Sequence, residues 1–296
     1  MSTFKTAAIF AKRSEPMGKA LETLLDILRQ EGVTPMLEES TATHLENDRG
    51  WSLEELGTNA DVIIIIGGDG TTLGIARRMA QYKLPIIAIN AGRLGFITDF
   101  SQADMREHLP PMLRGEYEAD SRAMMHAVLY RNGEIIFDQT AVNDAGITHG
   151  MAGSMVEYTV FVDGHPMATQ RADGLIVASA TGSTAYAMAA GGPILHPAIQ
   201  AMVLVPVAPH TLSNRPIVLP SASTIDIHLI DAHEAAAYCD MQEFITMQKG
   251  DTLRIKALPN RFTMLHPRGH NHYDTLRKKL YWNCMPTEHA ALPDTK

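Results

Sequence analysis

Over its first hundred residues the chain alternates short apolar runs with stretches whose apolar positions recur every three or four residues. Ala7 to Ala11 is a short apolar strand, and Met17, Leu21, Leu24, Leu25 and Leu28 then keep helical spacing up to Gly32. Val62-Ile63-Ile64-Ile65-Ile66 is β-branched at every position, the pattern of a central parallel strand buried on both faces. Gly67-Gly68-Asp69-Gly70 ends it, and Leu73, Ile75, Ala76, Met79 and Ala80 set a helical period over 71–82. Pro85 to Asn90 reads as the next buried strand, closed by a turn around Gly92 and Gly95. This β-α-β-α-β order predicts a parallel sheet covered on both faces. Ser101 to Leu113 predicts a polar helix broken at Pro110-Pro111.

Beyond about residue 100 the period shortens. Alternating strands are expected at 127–130, 134–138, 157–163, 175–179, 202–207, 224–229 and 252–257. Asn132-Gly133, Asp163-Gly164 and Lys249-Gly250 are turn signals that suit antiparallel hairpins. A helical pattern returns at the end, over 274–285. The expectation is two domains, an N-terminal α/β domain over 1–110 and a β-rich domain over 111–273, with the final helix packing back onto the first. No internal repeat or low-complexity tract interrupts them.

Composition narrows the partners. The chain of 296 residues is 45% hydrophobic and 20% charged, an ordinary globular balance. It carries 25 basic against 33 acidic residues, a net charge of −8. That balance argues against a nucleic-acid or anionic-membrane surface, so an anionic ligand needs a local device such as a helix N-terminus. The run from Val62 to Ile66 is far short of the ~20 apolar residues of a membrane span, and Lys12 and Arg13 arrive before a signal-peptide core could form. Cys239 and Cys284 form no CxxC pattern. A cytoplasmic protein is expected.

The chemistry concentrates in three places. In IIIIGGDGTTL, residues 63–73, a buried strand ends in glycines able to take positive φ and a helix starts at Thr71 or Thr72. Amides of Gly67, Gly68, Gly70, Thr71 and Thr72 and the helix dipole would then form a phosphate site. The competing reading is a tight βα turn in which Asp69 caps the helix. Leu73 breaks the GxGxxG fingerprint and no GxxxxGK[ST] is present. A carboxylate beside phosphates needs a screening metal or a proton to accept, which suits Asp69 as general base in phosphoryl transfer. The second place, residues 171–193, sets Thr181-Gly182-Ser183-Thr184 and a run of small residues after a strand. It reads either as a ligand wall or as dense helix–sheet packing. The third, Asn143-Asp144, could accept from ribose hydroxyls or form a turn. His149 and His270-Asn271-His272 lack partners at metal-ligand spacing, and Ala237 spoils HExxH after His233-Glu234. No metal ligand is therefore assigned among the side chains.

GGDGT, an Asn-acidic pair and DGLIxxxxTGSTAYxxxAGGPI together closely resemble the bacterial NAD kinases. The likeness continues through INAGRLGFITDF (89–100), PHTLSNRPIV (209–218) and Cys239-Asp240-Met241-Gln242, covering roughly residues 5 to 285. GGDGT alone is shared with phosphofructokinases and diacylglycerol-type lipid kinases. The resemblance implies an N-terminal Rossmann-like domain of that type, a C-terminal antiparallel β-rich domain, and NAD held between them and across a subunit contact. Asp69 matches the aspartate that activates the 2′-hydroxyl of the adenosine ribose, and Gly70 its substrate-contacting neighbour. Asn143 and Asp144 match the pair that touches the ligand. Arg171 matches an arginine associated with preferring NAD over NADH, and Asp173 an aspartate near the nicotinamide end. Thr184, Ala185, Tyr186 and Ala189 match the segment lining the pocket, and Gln242 a late contact. Asp144 stands where glutamate is common, Ala180 where proline is usual, and Ala189 where serine is frequent.

The resemblance further implies ATP as phosphoryl donor, Mg²⁺ or Mn²⁺ as cofactor, and a homodimer or homotetramer with no nucleic-acid or membrane partner. The rival expectations are a GGDGT-type kinase acting on a sugar phosphate or lipid, and a non-catalytic NAD(P) sensor.

Overall fold

The computed structural model describes residues 2–13, 16–45, 49–92, 95–150, 154–259 and 261–282. The chain begins with β1 (Thr6–Ala11), α1 (Gly18–Glu31), β2 (Thr34–Leu37), α2 (Glu39–Ala42), α3 (Leu53–Asn59), β3 (Val62–Gly67), α4 (Asp69–Met79), β4 (Ile86–Asn90), β5 (Phe100–Ser101), α5 (Met105–Leu113) and β6 (Tyr117–Arg122). It continues through β7 (Met125–Arg131), β8 (Glu134–Ala141), β9 (Asp144–His149), β10 (Val156–Val162), β11 (His165–Ala172), β12 (Gly174–Ser179), α6 (Tyr186–Ala189) and β13 (Ala201–Val207). Then come β14 (Ile217–Pro220), β15 (Thr224–Asp231), β16 (Ala235–Cys239), β17 (Glu243–Met247), β18 (Thr252–Ala257), β19 (Phe262–Pro267) and α7 (His272–Leu280). Two compact units result: residues 1–72, 84–120 and 264–296 form one, and 73–83 with 121–263 the other. The division falls inside α4, and β19 returns the chain to the first unit ahead of α7, where the sequence-based ranges placed it in the second.

In the first unit the strands lie in the order β2-β1-β3-β4-β19-β6, with β5 beside β4. The pairs β1–β2, β1–β3, β3–β4, β4–β5 and β4–β19 are parallel. Val62, Ile63, Ile64, Ile65 and Ile66 are all fully buried, as an apolar run without alternation requires. The chain leaves β1 to one side for β2 and to the other for β3. The carboxyl ends of β1 and β3 therefore mark a topological switch point, where open α/β sheets bind ligands. α1 buries Leu21, Leu24, Ile27 and Leu28 and stops at Gly32, whose φ of 73° is left-handed. α5 keeps Pro110 and Pro111 inside it, so the predicted break does not occur. Burial of Met105, Leu109, Met112 and Leu113 in the unit's core outweighs the two missing N–H donors.

The second unit stacks two six-stranded antiparallel sheets, β11-β10-β15-β18-β7-β8 and β14-β13-β12-β9-β16-β17. Their inner faces share one core that includes Leu129, Tyr158, Val160, Ile227 and Leu253 from the first sheet. Ile147, Leu175, Val177, Leu204 and Ala237 join it from the second. Asn132 and Gly133 both take positive φ, 53° and 83°, as do Asp163 and Gly164 at 50° and 81°. Two such residues in succession give the hairpin twist that matches the flanking strands. Among the described residues no helix is long and apolar enough to cross a membrane.

Candidate active site

The turn after β3 is tighter than its glycines suggest. α4 begins at Asp69 itself, with Thr72 N–H donating to Gly68 O at 3.1 Å. Gly67, Gly68 and Gly70 do not take positive φ, contrary to expectation. Gly67 serves close packing instead, since a Cβ there would lie 2.7 Å from the Thr71 side chain. Asp69 does not cap its own helix. Its Oδ2 accepts from Phe96 N–H at 2.8 Å, and its Oδ1 from Ile97 N–H at 3.3 Å and Thr98 Oγ1 at 3.4 Å. A Cβ on Gly95 would fall 1.7 Å from Asp69 Oδ1, so this approach requires glycine. The carboxylate is thereby fixed at the carboxyl edge of the sheet, beside the amino end of α4, where amides and dipole favour phosphate.

In the second unit Asp144 opens β9, and Asn143 stands just before it in the bend that follows β8. Their backbone is held by Asp240, which follows β16 with a positive φ of 50°. Asp240 Oδ1 accepts from the N–H groups of Asn143 at 2.7 Å and Asp144 at 3.1 Å, and Oδ2 from Val142 at 3.0 Å. Arg77 Nε lies 3.4 Å from Asp240 Oδ2, and its guanidinium donates to Gln242 Oε1 at 2.7 Å. Asp144 is buried, and its Oδ1, Asn143 Oδ1 and Tyr238 Oη have no hydrogen-bond partner among the described residues. Burial, then the neighbouring charge of Asp240, pushes the Asp144 carboxyl up to about 7. Burial also raises Asp240, against the opposing pull of its three N–H donors and Arg77. The Cys239 thiol is driven up to about 12, first by burial and then by Asp240. It is buried and free, whereas Cys284 lies outside the described residues.

At the end of β12 and just beyond it, the hydroxyls of Ser179, Ser183 and Thr184 are committed to the protein. Ser179 Oγ donates to Val142 O at 2.6 Å and accepts from Gly182 N–H at 3.1 Å. Ser183 Oγ donates to Ala180 O at 2.7 Å and accepts from Leu195 N–H at 2.9 Å. Thr184 Oγ1 donates to Thr181 O at 3.3 Å. A Cβ on Gly182 would meet Asn143 O at 1.9 Å, so the 179–184 turn clamps the Asn143 backbone. Dense packing thus accounts for Gly182 and Ser183, while Ala185 is half-buried and Tyr186 and Ala189 are exposed.

Arg171 and Asp173 stand apart. Asp173 O accepts from His149 N–H at 2.8 Å, at the opposite end of β9 from Asp144. Six residues of β12 separate Asp173 from the Asn143 end of that strand, about 20 Å at roughly 3.4 Å per residue. Arg171 is exposed, its Nε 4.0 Å from Glu157 Oε2. The structure thus brings Asn143 and Asp144 together and leaves Arg171 and Asp173 a strand's length away. Sequence reasoning singled out neither Arg77 nor Asp240 as positioning groups, nor the 95–98 loop that anchors Asp69. The nearest signals were the quoted segments around Gly95 and Asp240.

Two family models match this chain. The ATP-NAD kinase N-terminal domain covers residues 14–117, and the ATP-NAD kinase C-terminal domain residues 142–266. An NAD kinase of Polaromonas sp. is 46% identical over 285 residues, covering 95% of this chain and 98% of that protein. One from Paraburkholderia phymatum is 44% identical over 296 residues, 99% and 98% of the two chains. The crystal structure of yeast NADH kinase complexed with NADH superposes with a TM-score of 0.85 at 22% identity, over 99% of this chain and 90% of that one. An NAD kinase from Archaeoglobus fulgidus in complex with ATP gives 0.73 at 24% identity, over 93% and 98%. The two structures establish a shared fold, and with both family models matched and relatives near 45% identical along almost all its length, the chain belongs to the ATP-NAD kinase family.

Proposed function

We infer that this chain is an NAD kinase, moving the γ-phosphoryl group of ATP to the 2′-hydroxyl of the adenosine ribose of NAD. The observation that carries the reading at the site is the pair of buried acceptors, Asn143 Oδ1 and Asp144 Oδ1, with no donor among the described residues. Buried acceptors without donors are costly unless a ligand supplies them, and vicinal ribose hydroxyls are donors of that kind. Asp69 takes the proton from the 2′-oxygen as that oxygen bonds to the γ-phosphorus and the bond to the β-phosphate oxygen breaks, releasing ADP. Its two backbone N–H partners keep the carboxylate in place through the transfer. The amino end of α4, with its dipole, is the place for phosphate.

A divalent cation, Mg²⁺ or Mn²⁺, belongs to this reading as the screen for the triphosphate charge. Among the described residues the group of three metal-capable side chains contains two imidazoles, a poor match to the oxygen preference of Mg²⁺. That group does not fit a dedicated magnesium cage. Arg171 and Asp173 would act on the nicotinamide end of a substrate bound to a second copy of the chain, which suits a homodimer or homotetramer. Support for this is the family resemblance together with the strand-length separation. The phosphofructokinase-like or diacylglycerol-kinase-like character of the first unit rests on the GGDGT turn, and a cytoplasmic location rests on the short apolar runs and the cysteine pattern of the sequence.

The experiment is an assay with NAD, ATP and Mg²⁺, reading NADP through an NADP-specific dehydrogenase. Steady NADP formation is expected, falling by about 10²–10⁴-fold in Asp69→Asn, the scale of general-base loss. Unchanged turnover in that variant would remove Asp69 as the base.

A further inference from the structure

A second cluster of ionisable side chains lies in the first unit and takes no part in phosphoryl transfer. Asp99, its side chain only 6% exposed, faces two histidines. Its Oδ2 is 2.7 Å from His266 Nδ1 at the end of β19, and its Oδ1 is 3.1 Å from His270 Nδ1 in the turn before α7. The two imidazole rings stack with centroids 4.0 Å apart and planes 16° from parallel. One ligand atom from each of the three residues lies within 4.8 Å of the other two. The sequence hides this convergence, because Asp99 is far from the histidines along the chain and His266 lies in a strand.

Two imidazoles and one carboxylate are the donors of a borderline divalent ion, suited to Zn²⁺ and poorly to Mg²⁺. His266 Nε2 lies 3.8 Å from Asp120 Oδ2. The nearer carboxylate, Asp99 Oδ2 at 2.7 Å, holds a proton on Nδ1, and an ion bound between the three side chains takes that proton's place. Two carboxylates, Asp99 and Asp120, also match the charge of a divalent ion. A cavity of about 180 Å³ opens on Asp99 and His270, with His108 and Asp274 on its wall, which leaves room for water or a fourth ligand. Its cationic wall residues are Arg268, 3.9 Å from Glu116, and Lys278.

We propose that Asp99, His266 and His270 form a binding site for one divalent transition-metal ion of the zinc class, held by two Nδ1 atoms and a carboxylate oxygen, with water completing the set. The site is distinct from any cation that arrives on the triphosphate. Its consequence is local. Asp99 follows Thr98, whose hydroxyl donates to Asp69, so an ion on Asp99 pins the end of the loop that anchors that carboxylate.

The test is a titration of EDTA-treated full-length protein with Zn²⁺ by calorimetry, in a buffer containing excess Mg²⁺. One saturable equivalent is expected, weakened roughly 100-fold in His270→Gln, since loss even of an outer-shell partner costs 10–100-fold. His270 is the ligand on the cavity side, its side chain 20% exposed, so the substitution disturbs little packing. Co²⁺ in place of Zn²⁺ should give a visible absorption band that His270→Gln shifts or abolishes. Crystals of the wild-type protein soaked in Zn²⁺ should show an anomalous peak between the three side chains. This last readout stands even if a variant fails to fold. Absence of saturable Zn²⁺ binding, unchanged affinity in both His270→Gln and Asp99→Asn, or an anomalous map with no peak at the cluster would overturn the proposal.

Discussion

Asp144→Asn removes a charge from the interior of the second unit while keeping the shape of the side chain. Asp144 is 2% exposed, and its carboxyl is lifted from an ordinary 3.8 to about 7, first by burial and second by the charge of Asp240. A lift of about three units corresponds to about 4 kcal/mol, at roughly 1.4 kcal/mol per unit. The sign follows from proton uptake. Between pH 4 and pH 7 the folded chain holds a proton on Asp144 that the unfolded chain has lost, so stability falls as pH rises through that window. Below about pH 4 both states are protonated and the penalty vanishes, and above pH 7 it is present in full. Asparagine does not titrate. The stability of Asp144→Asn relative to wild type should therefore climb from near zero at pH 4 to as much as about 4 kcal/mol at pH 8. Urea unfolding followed by circular dichroism of the β structure, repeated at each pH, measures that difference directly. A difference that stays flat from pH 4 to pH 8 would show that Asp144 is ionised in the folded chain throughout, and the burial argument would fail.

Other substitutions probe the remaining parts. Gly95→Ala places a methyl group where Asp69 Oδ1 now sits at 1.7 Å. Displacement of the carboxylate by about 1 Å should cost about 100-fold in kcat, and a folded variant with wild-type kcat would refute the anchoring role. Asp240→Ala strands three N–H groups and takes the buried carboxylate away from Arg77 Nε, on a side chain 9% exposed. It should lower stability by about 3–5 kcal/mol, so a shift in unfolding free energy below about 1 kcal/mol would contradict the cap. Arg171→Gly should raise turnover of NADH relative to NAD in the coupled assay, and an unaltered ratio removes Arg171 from substrate discrimination.

Which parts of this molecule are legible in its sequence follows from the range of the forces involved. β3 is read from Val62 to Ile66 because burial on both faces demands apolar residues without alternation, a constraint written locally. The hairpins at Asn132-Gly133 and Asp163-Gly164 are local for the same reason, since their backbone torsions select the residue types. β9 and β16 escape the pattern because their pairing depends on close approach. Gly146 lies against Leu175 O, where a Cβ would sit at 2.0 Å, and it faces Tyr238 across the ladder. Neither glycine nor the alanine run at 235–237 carries strand preference of its own. α5 shows the converse, its two prolines being a local veto that the core overrides.

At the site, the residues that touch chemistry are visible and those that hold them are not. Asp69 announces itself by standing among glycines, but its three hydrogen bonds come from a loop 27 to 29 residues away. Asn143 and Asp144 look like a turn on their own, but Asp240, 96 to 98 residues further on, takes up the N–H groups of Val142, Asn143 and Asp144 and leads the bend into β9 at Asp144. No periodicity or spacing rule relates positions so distant. The positioning groups carry an ordinary local signature because their task is set by the fold. A motif therefore identifies Asp69 as a reactive group, while its reach and orientation depend on Gly95 and its neighbours. That is why the largest kinetic effect outside Asp69 is expected at a glycine with no functional group at all.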